Sequence, residues 1–476
     1  MTSDCHYNFG KRGPSQVLVR PPQVLRISPI GYFMKRMHTS INAFRVIAIL
    51  FTVALVPLPI YSGKTKAILR VGIKEGDLRG NDDRVIRTAI DKMAKLGGGT
   101  VQVLPGRYQL RNAVIMRSGV RLIGTHGKTV FVLSPGRKTT LAADVAKGDT
   151  KITLTDPTGF EVGMGIFLQD SSGHGFQVTT AMLGQKVRPN SFRLSQPAVQ
   201  EYLQSRSAEV KLGFSGIHCH SIHDALIDGI TIEGNHGQPG SQYLGGCRGG
   251  GIYLANCSNV VVRNCTVRRY NGDAISFQKN CRNITVEHCL TEKNANVGIH
   301  QGSYSQECVV RNNTIRNNGY VGLFVCVGVR KTLFQDNLIQ GNAGCGISIG
   351  FDDSDNIFRG NRVLVNAETG VLFRRDSLDP KHGAHRNVFE KNIIRDNLGP
   401  RPERSNSRPE SAGKAAVVIE GVHHGLVFRD NEFSFSKKHS GSAFLCDDTS
   451  DDIKLSNNRL MNVERNKINI KTKNKK

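Results

Sequence analysis

Short apolar segments recur along the chain at a nearly constant spacing. Each follows a small residue and alternates hydrophobic and polar positions, which is typical of β-strands, and each is too short for a helix. The six clearest copies are separated by 23, 24, 24, 24 and 24 residues. They are GIYLA at 251, AISFQ at 274, GIHQG at 298, GLFVC at 322, GISIG at 346 and GVLFR at 370. Such a repeat predicts one coil of a solenoid, with neighbouring coils stacked about 4.8 Å apart.

Polar residues repeat in the same register. One column begins with Cys265 and Cys289 and continues with asparagines, and a second column consists of asparagines. The asparagines are Asn313, Asn337, Asn361, Asn392, Asn431 and Asn458 in the first column and Asn294, Asn318, Asn342 and Asn366 in the second. Because asparagine tolerates left-handed backbone, we expect these residues to sit at turns, where their stacked amides bond one another. The pattern predicts an all-β fold, a right-handed parallel β-helix with 24 residues in most coils.

The cysteines follow the repeat and show no metal-ligand spacing. Cys257 and Cys281 are 24 residues apart, as are Cys265 and Cys289. Stacked cysteines are most often small core residues. Disulfides between coils are the alternative in an exported protein, and catalytic thiols are not favoured.

A predicted amphipathic helix precedes the repeats, within 81–99. Asn81 or Asp82 is placed to cap its start, and a run of glycines at 97–99 ends it. Its shared apolar face contains Val85, Ile86, Ala89, Ile90 and Met93. Because the end of a β-helix exposes its core, we expect this helix to cover the first coil.

The run EGDLRGNDDRVIRTAIDKMAKLGGGTVQVLPGRYQL resembles the N-terminal signature of the pectate-lyase superfamily, especially its rhamnogalacturonase/epimerase-like branch. The Asp-rich start, the helix, the GGGTVxxxPGxY pattern and the following coils match in order. The resemblance covers roughly 72–136 and 217–460. It implies a β-helix that acts on or binds polysaccharide. It does not select a reaction, because the superfamily includes lyases, hydrolases, epimerases and binding tailspikes.

These features divide the chain into five segments. Residues 1–63 contain an upstream stretch and a predicted signal peptide at about 34–63, whose apolar run at 46–60 follows Lys35 and Arg36. An uncleaved N-terminal anchor is the alternative. The other segments are the capping helix and first coils in 64–136, a small inserted β module in 137–216, the main coils in 217–462 and a basic tail in 463–476. We therefore expect a secreted or periplasmic protein with no stable membrane span after processing.

The chain is strongly basic, with 64 Lys and Arg against 39 Asp and Glu and a formal net charge of +25. A basic surface favours anionic partners, and an acidic polysaccharide fits both the charge and the resemblance. A high isoelectric point without functional meaning is the alternative. The sequence carries no helix-turn-helix, zinc-finger or nucleotide-cradling pattern, so nucleic acid is not expected as a partner. The oligomeric state stays open.

Candidate site residues lie on coils 274 to 382. Side chains at alternate strand positions are expected to point outward there, and small residues at 302 and 350 would leave a groove. The candidate catalytic residues are His300, Tyr304, Arg330, Asp352 and Asp353. The candidate substrate-binding residues are Asp273, Gln278, Arg374, Arg375, Asp376 and His382. A solvated surface residue without function is the alternative for most of these, and turn capping is the alternative for Asp273, Asp352 and Asp353.

One reaction that suits these residues is β-elimination of a uronate. It needs a cation to neutralise the carboxylate, a base for the α-proton and an acid for the leaving oxygen. Arg330 or Arg374 would serve as the cation, His300 as the base and Tyr304 as the acid.

The other reaction is hydrolysis, which needs two carboxylates about 5–9.5 Å apart. Asp352 and Asp376 hold the same place in successive coils, so they are the candidates. No metal site is predicted, although Asp352, Asp353 and Asp355 leave loose calcium binding open. The sequence thus predicts a polysaccharide lyase or glycoside hydrolase, or a C5-epimerase, acting on acidic polysaccharide. A non-catalytic glycan-binding or adhesion protein is the alternative.

Overall fold

The computed structural model describes residues 67–173, 175–376, 379–397, 415–436, 441–447 and 449–463. The predicted signal peptide lies outside these residues, as does the predicted basic tail apart from Val463. In the described part, the chain passes repeatedly through three long parallel sheets, to which one α-helix and a small antiparallel sheet are added. The predicted all-β class and the right-handed parallel β-helix are confirmed.

Most coils contribute one strand to each long sheet. Sheet 1 contains, in spatial order, Leu78–Arg79, Ile68–Gly72, Gly99–Val103, Val120–Ile123, His223–Asp228, Ser258–Arg263, Arg282–Glu287, Val309–Arg311, Leu333–Gln335, Ile357–Arg359, Val388–Glu390, Val427–Arg429 and Lys454–Ser456. Sheet 2 contains Gly106–Leu110, Thr129–Leu133, Thr231–Glu233, Thr266–Arg268, Leu290–Glu292, Thr314–Arg316, Leu338–Gln340, Arg362–Leu364, Ile393–Arg395, Glu432–Ser434 and Arg459–Met461. Sheet 3 contains Val114–Ile115, Ile217–His220, Ile252–Ala255, Ile275–Gln278, Ile299–Gly302, Leu323–Cys326, Ile347–Ile349, Val371–Phe373, Ala415–Ile419 and Ser442–Cys446.

Stacked asparagines hold the coils in register, as predicted. In the first column, Asn337 Nδ2 donates to Asn361 Oδ1 at 2.9 Å, and the same bond joins Asn313 to Asn337 at 3.0 Å. The column continues through two longer coils of 31 and 39 residues, where Asn361 bonds Asn392 and Asn392 bonds Asn431 at 3.0 and 2.9 Å. Coil length therefore varies without a break in the column.

The expected backbone conformation of these asparagines was wrong. The residue before each ladder position has the left-handed conformation, such as Asn312 with φ 54° and Asp336 with φ 52°. This places the turn one residue earlier than predicted. The ladder amide is then free to point into the coil stack, where buried backbone carbonyls need donors.

Inward side chains fill the centre of the β-helix. Phenylalanines stack face to face along one line, with ring centroids 4.7 Å apart for Phe334 and Phe358, and 4.3 Å apart for Phe358 and Phe389. Phe428 continues the line at 5.1 Å from Phe389. The coil spacing sets this ring spacing, so the repeat places identical side chains in contact.

The predicted capping helix runs over Asp83–Lys95. Asp82 is its N-cap and accepts a hydrogen bond from the Arg84 amide at 3.0 Å. Ile86, Ala89, Ile90 and Met93 are buried against the first coils, and Val85 packs beside them with partial exposure. Among the described residues, no helix has the length and apolar character needed to cross a membrane.

A six-stranded antiparallel sheet, here called the module, leaves the β-helix between its early coils. Its strands are Lys138–Thr140, Glu209–Leu212, Gly165–Gln169, Thr179–Arg188, Ser191–Leu194 and Lys151–Thr153. A separate hydrophobic cluster that includes Leu168, Phe192 and Tyr202 forms its core. Three 3-10 helices, at Gly175–Gln177, Gln204–Arg206 and Pro380–His382, complete the described elements.

The stacked cysteines are core residues. Cys257, Cys281, Cys265 and Cys289 are buried, and no disulfide joins them. The Cys265 and Cys289 thiols donate to the carbonyls of Arg263 and Glu287, two residues earlier in each case. They therefore occupy ladder positions by packing and local bonding.

Candidate functional site

The outward positions of sheet 3 form one column along the β-helix, here called the outer column. Strand register places its members directly opposite one another on neighbouring coils. They are His218, Tyr253, Ser276, His300, Phe324, Ser348 and Leu372. The predicted site residues lie around the middle of this column.

His300 and Asp273 form a buried pair at the centre of the column. His300 Nδ1 donates to Asp273 Oδ2 at 2.7 Å, and only 2% of His300 is exposed. The chain at Gly246 passes directly over this pair, and the Ser276 hydroxyl donates to the Gly246 carbonyl at 2.8 Å. Burial lowers the pKa of His300, but the Asp273 carboxylate and the Cys326 thiol raise it to about 9. Although outward in register, His300 is thus enclosed.

Arg374 is also enclosed and is held by neighbouring side chains. Its guanidinium donates to Asp376 at 3.0 Å, to the Ser348 hydroxyl at 2.9 Å and to the Val325 carbonyl at 3.0 Å. It lies over the Phe324 ring, 4.5 Å from the centroid. These bonds leave little of the guanidinium available for a substrate carboxylate.

Asp353 lies beneath Arg374, 3.8 Å from the guanidinium. Its carboxylate accepts the amides of Val329 and Gly350 at 2.9 and 2.8 Å. Burial raises the pKa of Asp353 to about 7 against the lowering effects of Arg374 and these amides. Burial therefore favours the neutral carboxyl, against the guanidinium and the amides that favour the carboxylate.

Neighbouring side chains fill the space beside the two glycines that were predicted to open a groove. A Cβ at Gly350 would lie 1.9 Å from Asp376 Oδ2, and a Cβ at Gly302 would lie 2.5 Å from Gln278 Oε1. Gln278 is itself buried, donating to Ser276 and accepting from Ser303, both at 3.0 Å. The glycines thus make room for neighbouring side chains of the same face.

The other predicted residues lie at the turn beyond the column. Tyr304 is 53% exposed, with its ring against Gly328, and Arg330 is exposed. Asp352 contacts His382 Nδ1 at 3.3 Å, and Arg375 pairs with Asp447 at 2.6 Å.

The carboxylates considered for calcium are engaged separately. Asp353 accepts hydrogen bonds from backbone amides, and Asp352 contacts the imidazole of His382. Asp355 forms an ion pair with Arg386 at 2.6 Å. In the part of the chain that the structure describes, no three His, Cys, Asp or Glu side chains converge as metal ligands would.

The open part of the same face lies nearer the N-terminus, in a cavity of about 580 Å³, here called the basic cleft. The capping helix, the first coils and the module form its walls. Its ionisable lining residues are Arg87, Arg117, His218, His220, Arg248, Tyr253 and Lys279. No Asp or Glu is among the described residues that line it. An anionic ligand would therefore meet basic side chains and no carboxylate among these lining residues.

His218 and Tyr253 are neighbours on the outer column inside the cleft, with ring centroids 5.1 Å apart. Burial, with the nearby His220 and Arg248, lowers the pKa of His218 to about 4. The Tyr253 hydroxyl donates to the Cys247 carbonyl at 2.8 Å, and burial raises its pKa. At neutral pH the cleft thus holds a neutral imidazole beside a protonated phenol.

Four cationic side chains line the same cleft. The Arg248 guanidinium donates through Nε to the Phe176 carbonyl at 3.1 Å. The Lys279 ammonium lies 4.8 Å from the Phe176 ring, and burial and Arg248 lower its pKa. On the helix side, Arg87 and Arg117 are paired with Asp83 and Asp91, both at 2.9 Å.

Sequence reasoning missed the basic cleft. The signal was present in GIHCH at 216–220, where His218 and His220 alternate with apolar residues as in the later coils. The copy lies 35 residues before its neighbour at 251, because 234–250 interrupts the repeat. The wall built by the module has no counterpart in the repeat pattern.

Comparison with known proteins agrees with the fold. A family model described as right handed beta helix region matches residues 165–315 and 301–397. The A-module of the mannuronan C-5 epimerase AlgE4 from Azotobacter vinelandii has a similar structure, with a TM-score of 0.51 and 14% identity over 83% of this chain and 96% of that one. A glycoside hydrolase gives a TM-score of 0.47 and 10% identity over 83% and 96%. No curated protein sequence matches the chain.

These matches agree with the predicted fold, and the chain is a right-handed parallel β-helix protein. At 14% identity the similarity to the epimerase module concerns the fold alone.

Proposed function

We propose that the protein binds an acidic polysaccharide in the basic cleft and removes the proton next to a uronate carboxylate there. The observation that carries this proposal is the lining of the cleft. A neutral histidine and a tyrosine lie among four cationic side chains, with no described acidic residue in the lining. A polymer of uronates presents one carboxylate per sugar and matches this charge.

In the proposed reaction, Arg248 and Lys279 neutralise the substrate carboxylate, which makes the adjacent carbon acidic. His218 accepts the proton, since a base must be unprotonated at working pH and its lowered pKa keeps it so. Tyr253 lies on the next coil and is protonated, and to act as the proton donor it would exchange its hydrogen bond to the Cys247 carbonyl for one to the substrate. Elimination and C5-epimerisation share this first step, and the mannuronan C-5 epimerase of similar fold is consistent with either outcome.

Hydrolysis is less well supported. It needs two carboxylates about 5–9.5 Å apart, and the described lining of the cleft offers none. The carboxylates predicted for this role, Asp352 and Asp376, are engaged with His382 and Arg374. The site predicted around His300, Tyr304 and Arg330 remains a prediction.

The test is a panel of acidic and neutral polysaccharides, with binding measured at several salt concentrations. Unsaturated products report elimination, reducing ends report hydrolysis, and deuterium uptake from D2O reports epimerisation. We expect binding to acidic chains that weakens as salt rises, because exposed charges are screened within about 8–10 Å.

Variants locate the site. Lys279→Gln should weaken binding, whereas the matched change Arg362→Gln, at an exposed position on sheet 2, should not. His218→Gln should lower turnover by at least about 100-fold if this side chain is the base. Binding without turnover would favour the non-catalytic glycan-binding function. Tight, salt-independent binding to a neutral glycan would refute the proposal.

A further inference from the structure

The enclosed cluster around His300 contains a thiol that the proposed function does not use. Cys326 lies one coil from His300, opposite Gly302, on the same outward face of sheet 3. We propose that Asp273, His300 and Cys326 form a Cys–His–Asp triad in which the Cys326 thiolate reacts with small hydroperoxides. The proposal concerns a site separate from the basic cleft and does not depend on the function proposed for it.

The orientation of His300 supports this assignment. The Nδ1 atom of His300 is hydrogen-bonded to the Asp273 carboxylate, so Nε2 lies on the opposite side of the ring. Nε2 is fully buried and has no hydrogen bond of normal geometry within the described residues. The Phe324 ring packs edge-on against the imidazole, with centroids 4.9 Å apart, and restricts its rotation. A histidine that is held by a carboxylate and lies beside a thiol is the arrangement that activates cysteine nucleophiles.

The charges around Cys326 favour the thiolate. His300 faces it from one side, and the pKa of His300 is raised to about 9 by Asp273 and Cys326 despite the opposing effect of burial. Arg374 faces it from the Val371–Phe373 strand, and its interaction with Cys326 contributes to the raised pKa of Arg374. Asp353 and Asp376 offset part of this guanidinium charge. Two neighbouring cations lower the pKa of a thiol.

The backbone after Cys326 is strained. Val327 has φ 66°, a left-handed conformation that a β-branched residue rarely adopts. Strain of this kind persists where the surrounding structure enforces it and concentrates at functional sites. Here it fixes the end of the strand that carries the thiol.

The limited access to the thiol defines the substrate class. Cys326 is 6% exposed, which admits a small uncharged molecule and not a polymer. In the proposed step, the thiolate attacks one peroxide oxygen, the sulfur–oxygen bond forms and the oxygen–oxygen bond breaks. The His300 imidazolium gives its Nε2 proton to the departing oxygen. The products are a sulfenic acid, an alcohol or water, and neutral His300, so the sulfur is oxidised and the peroxide reduced.

The test treats the full chain with hydrogen peroxide, traps sulfenic acid with dimedone and maps the modified cysteines by mass spectrometry. Cys345 is the internal control, because it is buried beside Glu368, and burial and that carboxylate raise its pKa. We expect Cys326 to react at least about 10-fold faster than Cys345, at a rate that is flat between pH 6 and 8. Cys326→Ser should remove this rapid modification.

His300→Gln can still donate to Asp273 but cannot charge, and it should slow the reaction at least about 10-fold and make the rate rise with pH. Equal reactivity of Cys326 and Cys345, or an unchanged rate in the folded variant, would overturn the proposal. If the variant does not fold, the pH profile of the parent decides. A rate that climbs steadily from pH 7 to 9, as for an ordinary thiol, would also overturn it.

Discussion

Replacing Asn342 with alanine tests how much the asparagine ladder stabilises the fold. Asn342 is fully buried and makes four hydrogen bonds through its side chain. Oδ1 accepts the backbone N–H and the side-chain amide of Asn318, at 3.1 and 2.9 Å. Nδ2 donates to the Ile315 carbonyl at 3.1 Å and to Asn366 Oδ1 at 2.9 Å. Every polar group of the amide is therefore engaged.

The expected loss follows from these partners. In Asn342→Ala, the buried N–H of Asn318 loses its acceptor, which costs about 1–3 kcal/mol. The other three bonds are worth about 0.5–1.5 kcal/mol each, because their remaining atoms keep other partners. Alanine avoids the cost of burying a polar amide, and this gain offsets part of the loss. We therefore expect the free energy of unfolding to fall by about 3–5 kcal/mol.

Urea unfolding followed by circular dichroism measures this difference. Asn458 is the matched control, because it ends the same kind of ladder and is partly exposed. Water can replace its lost bonds, so Asn458→Ala should cost about 1 kcal/mol or less. A loss below about 1 kcal/mol for Asn342→Ala, or equal losses for both variants, would show that the ladder does not hold the coils together.

Two further predictions concern the enclosed cluster. Val327→Gly should raise the free energy of unfolding by up to about 1 kcal/mol by relieving the left-handed strain, whereas Val325→Gly, at a buried inward position, should lower it by about 3 kcal/mol. A loss of stability in Val327→Gly would contradict the strain argument. The pKa of His300, raised from 6.5 to about 9, gives a stabilisation that is full below pH 6.5 and is lost as pH rises through 9. Urea midpoints should fall over that range and should flatten in His300→Gln, and a flat profile in the parent would contradict the assignment.

The fold was predictable because the same strand pattern occurs in many copies along the sequence. A single copy is weak evidence for a strand. The common spacing of GIYLA, AISFQ and the later segments excludes helices and the longer repeats of β-propellers. The Asn columns added the register. The left-handed position was misplaced by one residue. Asn312 and Asn313 are both asparagines, so their coil does not distinguish the turn residue from the ladder residue, whereas Gly360 before Asn361 did carry the signal.

The site was less predictable, for a physical reason. Register places His300 in the outer column, as the alternation of the sequence predicts. Whether an outward side chain is open to solvent depends on what crosses above it. That depends on long-range contacts, such as the passage of Gly246 over His300 and the approach of the module to His218. No local pattern encodes these contacts.

The unbroken ladder across coils of 31 and 39 residues has a consequence for how such a protein changes over evolutionary time. The ladder keeps its register across coils of different length, so a coil can be lengthened without a change in the core. The module is the largest addition of this kind and supplies a wall of the basic cleft. New recognition surfaces can therefore be acquired by lengthening a turn, with the scaffold left unaltered. The same property makes these turns suitable positions for grafting loops in engineered variants.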